Sequence, residues 1–333
     1  MTIISNVTCP VCGSFCDDIE LHVDNNEIKK VRNACGMGES KFLNYNEHRL
    51  RKPLLRKNGV LVKTTTEEAV RKSAEILSCA TYPILYGWSN TSCEAIRVGL
   101  ELAEEVGGVI DNTSTVCHGP SVLGIQDVGY STCTLGQVRH RADLVVYWGS
   151  NPWSAHPRHI ERYTAFTQGR FQQSTWYRYL ANLSTYRSQR RLLRALKLSA
   201  LRKAPLHREV VQELPSTLFR KDRKMIVVDV RRTRTADIAD YFLKVEPNKD
   251  YEVLEALRAL VRDEEIDVDQ VAGVPVKTLE DLADIMMSCR FGVIFFGLGL
   301  TMSAGKLRNV DTAISLVRDL NRYTKFMIMP MRG

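Results

Sequence analysis

Leu144-Val145-Val146-Tyr147-Trp148-Gly149-Ser150-Asn151-Pro152 is five apolar or aromatic residues stopped by a glycine. A run this short, bounded by turn residues, reads as a buried strand. Similar runs lie on either side of it in the chain. They are Tyr82–Tyr86 before Gly87, Val109–Ile110, Met225–Asp229, Phe291–Phe296 before Gly297, and Phe326–Met329. Helical patterns separate them: Thr65–Leu77, a stretch to about Val106 opened by a Thr91/Glu94 capping box, Asp250–Arg262, Leu279–Cys289 and Asn309–Asn321. Strands alternating with helices predict an α/β fold with parallel sheets wrapped on both faces. Ligands in such sheets bind outside the carboxyl ends of the strands. The loops after Tyr86, Ile110, Trp148, Asp229, Phe296 and Met329 are therefore where a site is expected.

Composition bounds the rest. The chain has 333 residues, 44% of them hydrophobic and 25% charged. That suits a soluble protein of two or three domains. No basic start with an apolar run marks a signal peptide. The longest apolar run, Phe291–Leu300, is far below the roughly 18 residues a membrane helix needs. A cytoplasmic, membrane-free protein is expected. The nine cysteines are an odd number, and clustered cytosolic cysteines are more often metal ligands or catalytic groups than disulfides. The net charge is +8, yet Ser174–Thr217 alone holds nine basic residues against two acidic ones. The remainder is nearly neutral, so no general field for nucleic acid needs explaining.

The first fifty residues have a different character. Short β-like runs, Ile19–Val23 and Ile28–Val31, flank an Asp24-Asn25-Asn26 turn. Cys9, Cys12 and Cys16 follow C-x2-C-x3-C, with Cys35 nineteen positions on. Three thiolates on a tight loop plus a remote fourth suit a [4Fe–4S] cluster. Zinc stays open as an alternative, although zinc ribbons usually carry two C-x2-C pairs and the second is missing here. Unrelated thiols are the third option.

Among the strand-end loops, Asp111–Ser121 holds the pair Cys117-His118. A thiolate suits a soft metal centre, and a neighbouring imidazole titrates near neutrality and moves protons. The plain alternative is a buried cysteine beside a structural histidine. After Trp148, Gly149 allows close backbone approach, Asn151 both donates and accepts, Pro152 follows, and Arg158 is able to pair with phosphate. After the Met225 strand, Asp229 is placed to accept from a guanine or ribose edge. Arg231, Arg232, Thr233, Arg234 and Thr235 there are able to face phosphates. Gly297, Gly299 and Thr301 form a third loop, which also reads as a simple tight turn. Cys79, Cys93, Cys133 and Cys289 sit in or beside apolar elements and read as core residues.

With Cys35-Gly36-Met37-Gly38 and Ser40-Lys41-Phe42 behind them, the early cysteines resemble the cluster domain of molybdopterin-type oxidoreductases. The Asp111–Ser121 string and Tyr86-Gly87-Trp88-Ser89 resemble the catalytic, metal–pterin-bearing subunit of formylmethanofuran dehydrogenase within that superfamily. The resemblance implies a small N-terminal Fe–S domain followed by Rossmann-like parallel α/β domains. It implies domains at 1–52, at 53–140 with 290–333, and at 141–289. It also implies reversible two-electron reduction of CO2 to formate for formylmethanofuran synthesis, the first step of methanogenesis from CO2. By resemblance Cys117 ligates tungsten or molybdenum, which the sequence does not choose between, and two molybdopterin guanine dinucleotides complete the centre. His118 then handles the proton, Arg332 orients the carboxylate, and Lys41 lies between cluster and pterin. Gly149, Asn151, Pro152, Asp229, Arg231, Thr233, Gly297, Gly299 and Thr301 line the dinucleotide pockets. The implied partners are amidohydrolase-like, pterin-barrel and polyferredoxin-type subunits.

The resemblance covers Val7 to about Arg170 and Phe219–Gly333. Ser174–Thr217 reads as an atypical basic insertion: a surface helix, a docking element, or translated sequence foreign to the fold. Family members continue past Arg332, so an inactive truncated homologue is one alternative, and another formate dehydrogenase of the superfamily is a second. A zinc module with a nucleic-acid-binding arm is the third; it leaves the Cys117-His118 loop unused.

Overall fold

A computed structural model describes residues 1–167, 169–170 and 223–331. The basic segment 174–217 and Arg332 lie outside the described residues. Contacts divide the chain into two compact units: residues 1–11 with 17–116, and 12–16 with the described residues from Cys117 onward.

The first unit opens with an antiparallel sheet of β1 (Thr2–Val7), β2 (Ile19–Asp24) and β3 (Glu27–Arg32), in the order β1-β2-β3. Asn25 and Asn26 turn the β2–β3 hairpin with φ of 49° and 59°, the left-handed pair that Asn tolerates in a two-residue turn. Helix α1 (Gly36–Leu43) follows Cys35, and β4 (Leu54–Lys57) pairs with β5 (Val60–Lys63). Helix α2 (Thr66–Cys79) is capped by the Thr65 hydroxyl. A βαβ unit comes next. β6 (Ile84–Tyr86) and β7 (Val109–Asp111) pair in parallel, joined by α3 (Cys93–Glu105). The cap of α3 is Ser92, accepting from Ala95 N at 3.4 Å, rather than the expected Thr91/Glu94 box. The expectation of a buried Tyr82–Tyr86 strand also fails, since Ile84 and Tyr86 are exposed. The strand has a single ladder partner, β7, and its packing on α3 leaves these two side chains to solvent.

The second unit centres on a five-stranded sheet. Its strands are β8 (Leu144–Trp148), β9 (Lys224–Asp229), β10 (Tyr241–Lys244), β13 (Phe291–Phe296) and β14 (Lys325–Pro330). A short hairpin of β11 (Gln270–Val271) and β12 (Val274–Pro275) falls between β10 and β13 in sequence. The order is β10-β9-β8-β13-β14, every neighbouring pair parallel. Alternation sorts the strand residues to two faces. Leu144, Val146, Trp148, Ile226, Val228, Ile294 and Phe296 join one buried cluster. Val145, Tyr147, Met225, Val227, Val293 and Phe295 join the other. Helices Asp250–Val261, Val276–Ser288 and Leu307–Leu320 cover the first face, while Val138 of Leu135–Arg141 and Ile160 of His159–Tyr163 pack on the second. Trp148, Tyr147, Phe295 and Phe296 are fully buried, each contributing about 1.5–3 kcal/mol of transfer free energy.

This topology departs from the expected domain grouping. That grouping joins residues 290–333 to 53–140, yet β13 and β14 sit in the sheet of β8. Six consecutive buried residues in β13 need a ladder on both sides, and β8 and β14 supply it. The chain runs β8, β9, β10 outward on one side, then returns to β13 on the other side of β8. The strand order therefore reverses between β8 and β13, the position where α/β sheets open a crevice. Among the described residues no helix is long and apolar enough to cross a membrane.

Candidate functional site at the strand ends

Asp111-Asn112 ends β7 and starts the string that carries Cys117. The string folds as a helix, Thr113–Val128, rather than a loop. Asn112 Oδ1 accepts from Ser114 N at 2.7 Å, so the polar pair that reads as loop composition is the cap. Pro120 lies inside this helix; its missing N–H is what makes the sequence read as a break. Ser89, from the loop after β6, hydrogen-bonds Thr113 at 2.9 Å through their hydroxyls.

Within the second unit, Cys117 is half-buried, and its carbonyl accepts from the Thr301 hydroxyl at 3.2 Å. Thr301 belongs to Leu298–Met302, the turn after β13. The same loop packs on the loop after β8. Gly299 N donates to Gly149 O at 2.9 Å and Gly297 N to Trp148 O at 3.0 Å. Gly149 has φ +54°, and a Cβ there would lie 2.7 Å from Leu300 N. Glycine is required on both counts, conformation and space. The two loops meet at the reversal between β8 and β13, and Cys117 is attached to them through Thr301.

The remaining strand ends join the same place. Asn151 Oδ1 accepts from the Thr235 hydroxyl at 2.6 Å, and its Nδ2 donates to Ser154 Oγ at 3.1 Å. Pro152 is the buried first residue of the turn Pro152–Ala155. Thr233 caps Arg234–Asp237, accepting from Ala236 N at 3.3 Å, so its role is partly structural and Thr235 makes the cross-loop contact. Asp229 is half-buried at the end of β9 and accepts from Arg231 N at 3.2 Å. Burial pushes its carboxyl up from the ordinary value, and the charge of Asp250 adds to that. Arg231 is exposed, and Arg158 pairs with Glu161 at 2.7 Å. Met331 N donates to Phe296 O at 2.7 Å, bringing the residue before Arg332 to the β13 end.

His118 Nδ1 lies 3.3 Å from Ser121 Oγ, one turn along the same helix. Sequence reasoning misses two contributors. Asp250, 5% exposed, accepts from Trp148 Nε1 at 2.8 Å, and burial raises its pKa. Asn309, fully buried, donates to Leu300 O at 3.0 Å and Ser303 Oγ at 2.8 Å, shaping the turn that carries Thr301. A tryptophan in a buried strand signals that its N–H needs an acceptor, but not which one.

The early cysteines are divided between the units. In the first, Cys9 Sγ and Cys35 Sγ lie 3.3 Å and 3.9 Å from the point a Cβ on Gly38 would occupy. A side chain there would press on the Cys9 thiol and touch that of Cys35, so both thiols border one small residue, which fits two ligands of a bulky cluster. In the second, the Cys12–Cys16 loop is held by the Tyr163 hydroxyl donating to Ser14 O at 2.8 Å. Among the described residues no three His, Cys, Asp or Glu side chains group as a single metal ion would need. Lys41 is exposed in the last turn of α1. Cys79 and Cys93 are exposed and Cys133 and Cys289 half-buried, so the first two are not core residues; they lie on helices whose outer faces are uncovered. Burial pushes the Cys133 thiol up to about 11.

No family model matches the sequence. The B subunit of the tungsten-containing formylmethanofuran dehydrogenase 2 of Methanocaldococcus jannaschii is 43% identical over 334 residues, 99% of this chain and 67% of that protein. Its counterpart of the same name in Methanococcus maripaludis is 42% identical over 336 residues, again 67% of its own length. The alpha subunit of the F420-dependent formate dehydrogenase 2 of the latter organism is 21% identical, across 94% of this chain and 45% of that one. Among solved structures, acetylene hydratase from Pelobacter acetylenicus matches with TM-score 0.62 over 96% of this chain and 43% of its own, at 13% identity. The formyltransferase/hydrolase complex from Methylorubrum extorquens matches with TM-score 0.52 over 80% and 58%, at 17% identity. These two likenesses concern the fold alone.

Proposed function

The chain belongs to the family of formylmethanofuran dehydrogenase B subunits, an oxidoreductase family, and from that we propose that it carries the tungsten centre which reduces CO2 to formate. The observation that carries the reading is 42–43% identity over nearly the whole chain to two tungsten-containing relatives. The chain spans about two thirds of their length. The strand-end geometry supports the same reading.

Cys117 is the proposed metal ligand. Its backbone is fixed by Thr301, so the thiol is offered from a positioned helix turn beside the crevice. A thiolate is a strong, polarisable donor and so an appropriate ligand for the tungsten ion. When bound, the tungsten–pterin centre supplies two electrons to CO2 and the [4Fe–4S] cluster on Cys9, Cys12, Cys16 and Cys35 relays them singly. The balanced change is CO2, two electrons and one proton giving formate. His118 holds and delivers that proton, with Ser121 3.3 Å from its Nδ1 restraining the ring. Gly149, Gly297 and Gly299 give a pterin dinucleotide close approach to backbone, Asn151 and Pro152 border it, and Asp229 accepts from its guanine edge. Thr233, Arg231 and Lys41 serve phosphate and pterin, and Arg332 serves the carboxylate. The formate then passes to an amidohydrolase-like subunit for transfer to methanofuran, with pterin-barrel and polyferredoxin-type subunits completing the assembly in the cytoplasm.

The test is metal analysis of the anaerobically purified complex. Wild type is expected to hold tungsten and iron, and Cys117→Ala to lose tungsten and at least about a thousandfold in CO2 reduction, on the scale of removing a group on which the chemistry depends. Zinc without tungsten, molybdenum or iron overturns the reading. The weaker match to a formate dehydrogenase favours a free-standing formate dehydrogenase as second reading. Co-purification with the amidohydrolase-like subunit separates the two.

A further inference from the structure

Two buried polar groups of the second unit have no part in the chemistry above. Ser14, between Cys12 and Cys16, is fully buried, and its hydroxyl has no partner among the described residues. His156, 5% exposed, follows the turn Pro152–Ala155. Its Nε2 lies 4.0 Å from the point a Cβ on Gly13 would occupy, so the ring packs on the cysteine loop. Its Nδ1 is buried, again with no partner among the described residues.

A hydroxyl or imidazole N–H in a dry site needs an acceptor. The sulfides and thiolates of an iron–sulfur core accept and never donate, which fits a hydroxyl inside the loop that carries two of its four ligands and an imidazole packed on that loop. We propose that Ser14 and His156 are hydrogen-bond donors that tune the iron–sulfur cluster. This rests on the cluster reading above. Both are positioning residues, acting on the cluster's electronics rather than on substrate. Hydrogen bonds to cluster sulfur favour the reduced, more negative state and raise its reduction potential. The turn bearing His156 starts at Asn151 and Pro152, so one short segment ties the strand-end loop after β8 to the cysteine loop.

The experiment is a redox titration of the anaerobically purified complex, followed by electron paramagnetic resonance. Subtracting wild type from variant isolates the cluster of this chain. Ser14→Ala and His156→Leu are each expected to shift one midpoint to lower potential with iron content unchanged. His156→Gln, which keeps a donor, is expected to retain the wild-type midpoint. Unmoved midpoints in Ser14→Ala and His156→Leu at full iron content overturn the proposal and leave the cluster reading standing. Should His156→Leu not fold, Ser14→Ala decides alone, because it removes one oxygen and nothing else. A Cys12→Ala/Cys16→Ala complex tests the premise separately. Reduced iron supports it, and an unchanged iron count overturns both readings.

Discussion

The two units use the same building step, a strand followed by a helix returning to a parallel neighbour, and reach opposite degrees of burial. In the second unit every residue of β13 is buried, with apolar layers on both faces. In the first, Ile84 is 66% exposed, and no residue of α2 is buried although Val70 and Ile76 lie on it. Parallel sheets normally gain their stability from two covered faces. The difference teaches that an apolar run specifies a strand, while the number of packed layers decides what that strand is worth.

Substitutions break or sharpen the contrast. The largest effect is expected for Phe295→Ala, which empties a site touching Tyr147 and His159 and should cost about 3–5 kcal/mol in denaturant unfolding. Gly149→Ala comes next, about 2–4 kcal/mol, since it combines a disfavoured positive φ with a backbone collision at Leu300. The third concerns acid. His159 is fully enclosed, bonded to Tyr147 Oη at 3.0 Å, and burial pushes its pKa down to about 3. A histidine kept neutral in the native state is protonated more readily once unfolded. Its contribution is present above the unfolded value near 6.5 and is lost as pH falls from there toward 3, at about 1.4 kcal/mol per pH unit. His159→Gln should flatten that acid limb, measured by urea unfolding at pH 7, 6 and 5. The smallest effect, within about 0.5 kcal/mol, is expected for Val70→Ser in the first unit. A loss there as large as that of Phe295→Ala would mean that α2 is a packed element and would erase the contrast.

Most strands of the large sheet are legible in sequence because five or six apolar residues in a row, closed by glycine, have few other readings. Phe291–Phe296 matches its reading residue for residue. What stays hidden depends on distance along the chain. Trp148 meets Asp250 across 102 residues, and no local pattern announces that. The Cys117 helix escapes for a different reason: Gly119-Pro120 looks like a breaker, while the Asn112 cap and the contact of Gly124 with Val310 outweigh it. The placement of β13 and β14 beside β8 is likewise a matter of pairing, which sequence order does not encode. Local chemistry at Gly149 and Cys117 is readable; that the Thr301 hydroxyl joins them is not.

The bond from Tyr163 to Ser14 spans 149 residues. During synthesis the amino-terminal thiols leave the ribosome long before the helix that will pin their loop. At roughly 5–20 residues per second, they wait on the order of ten to thirty seconds as unprotected nucleophiles. The loop bearing Cys12 and Cys16 therefore takes its final form only after residue 163 has been made, and oxidants have that interval in which to reach its thiols.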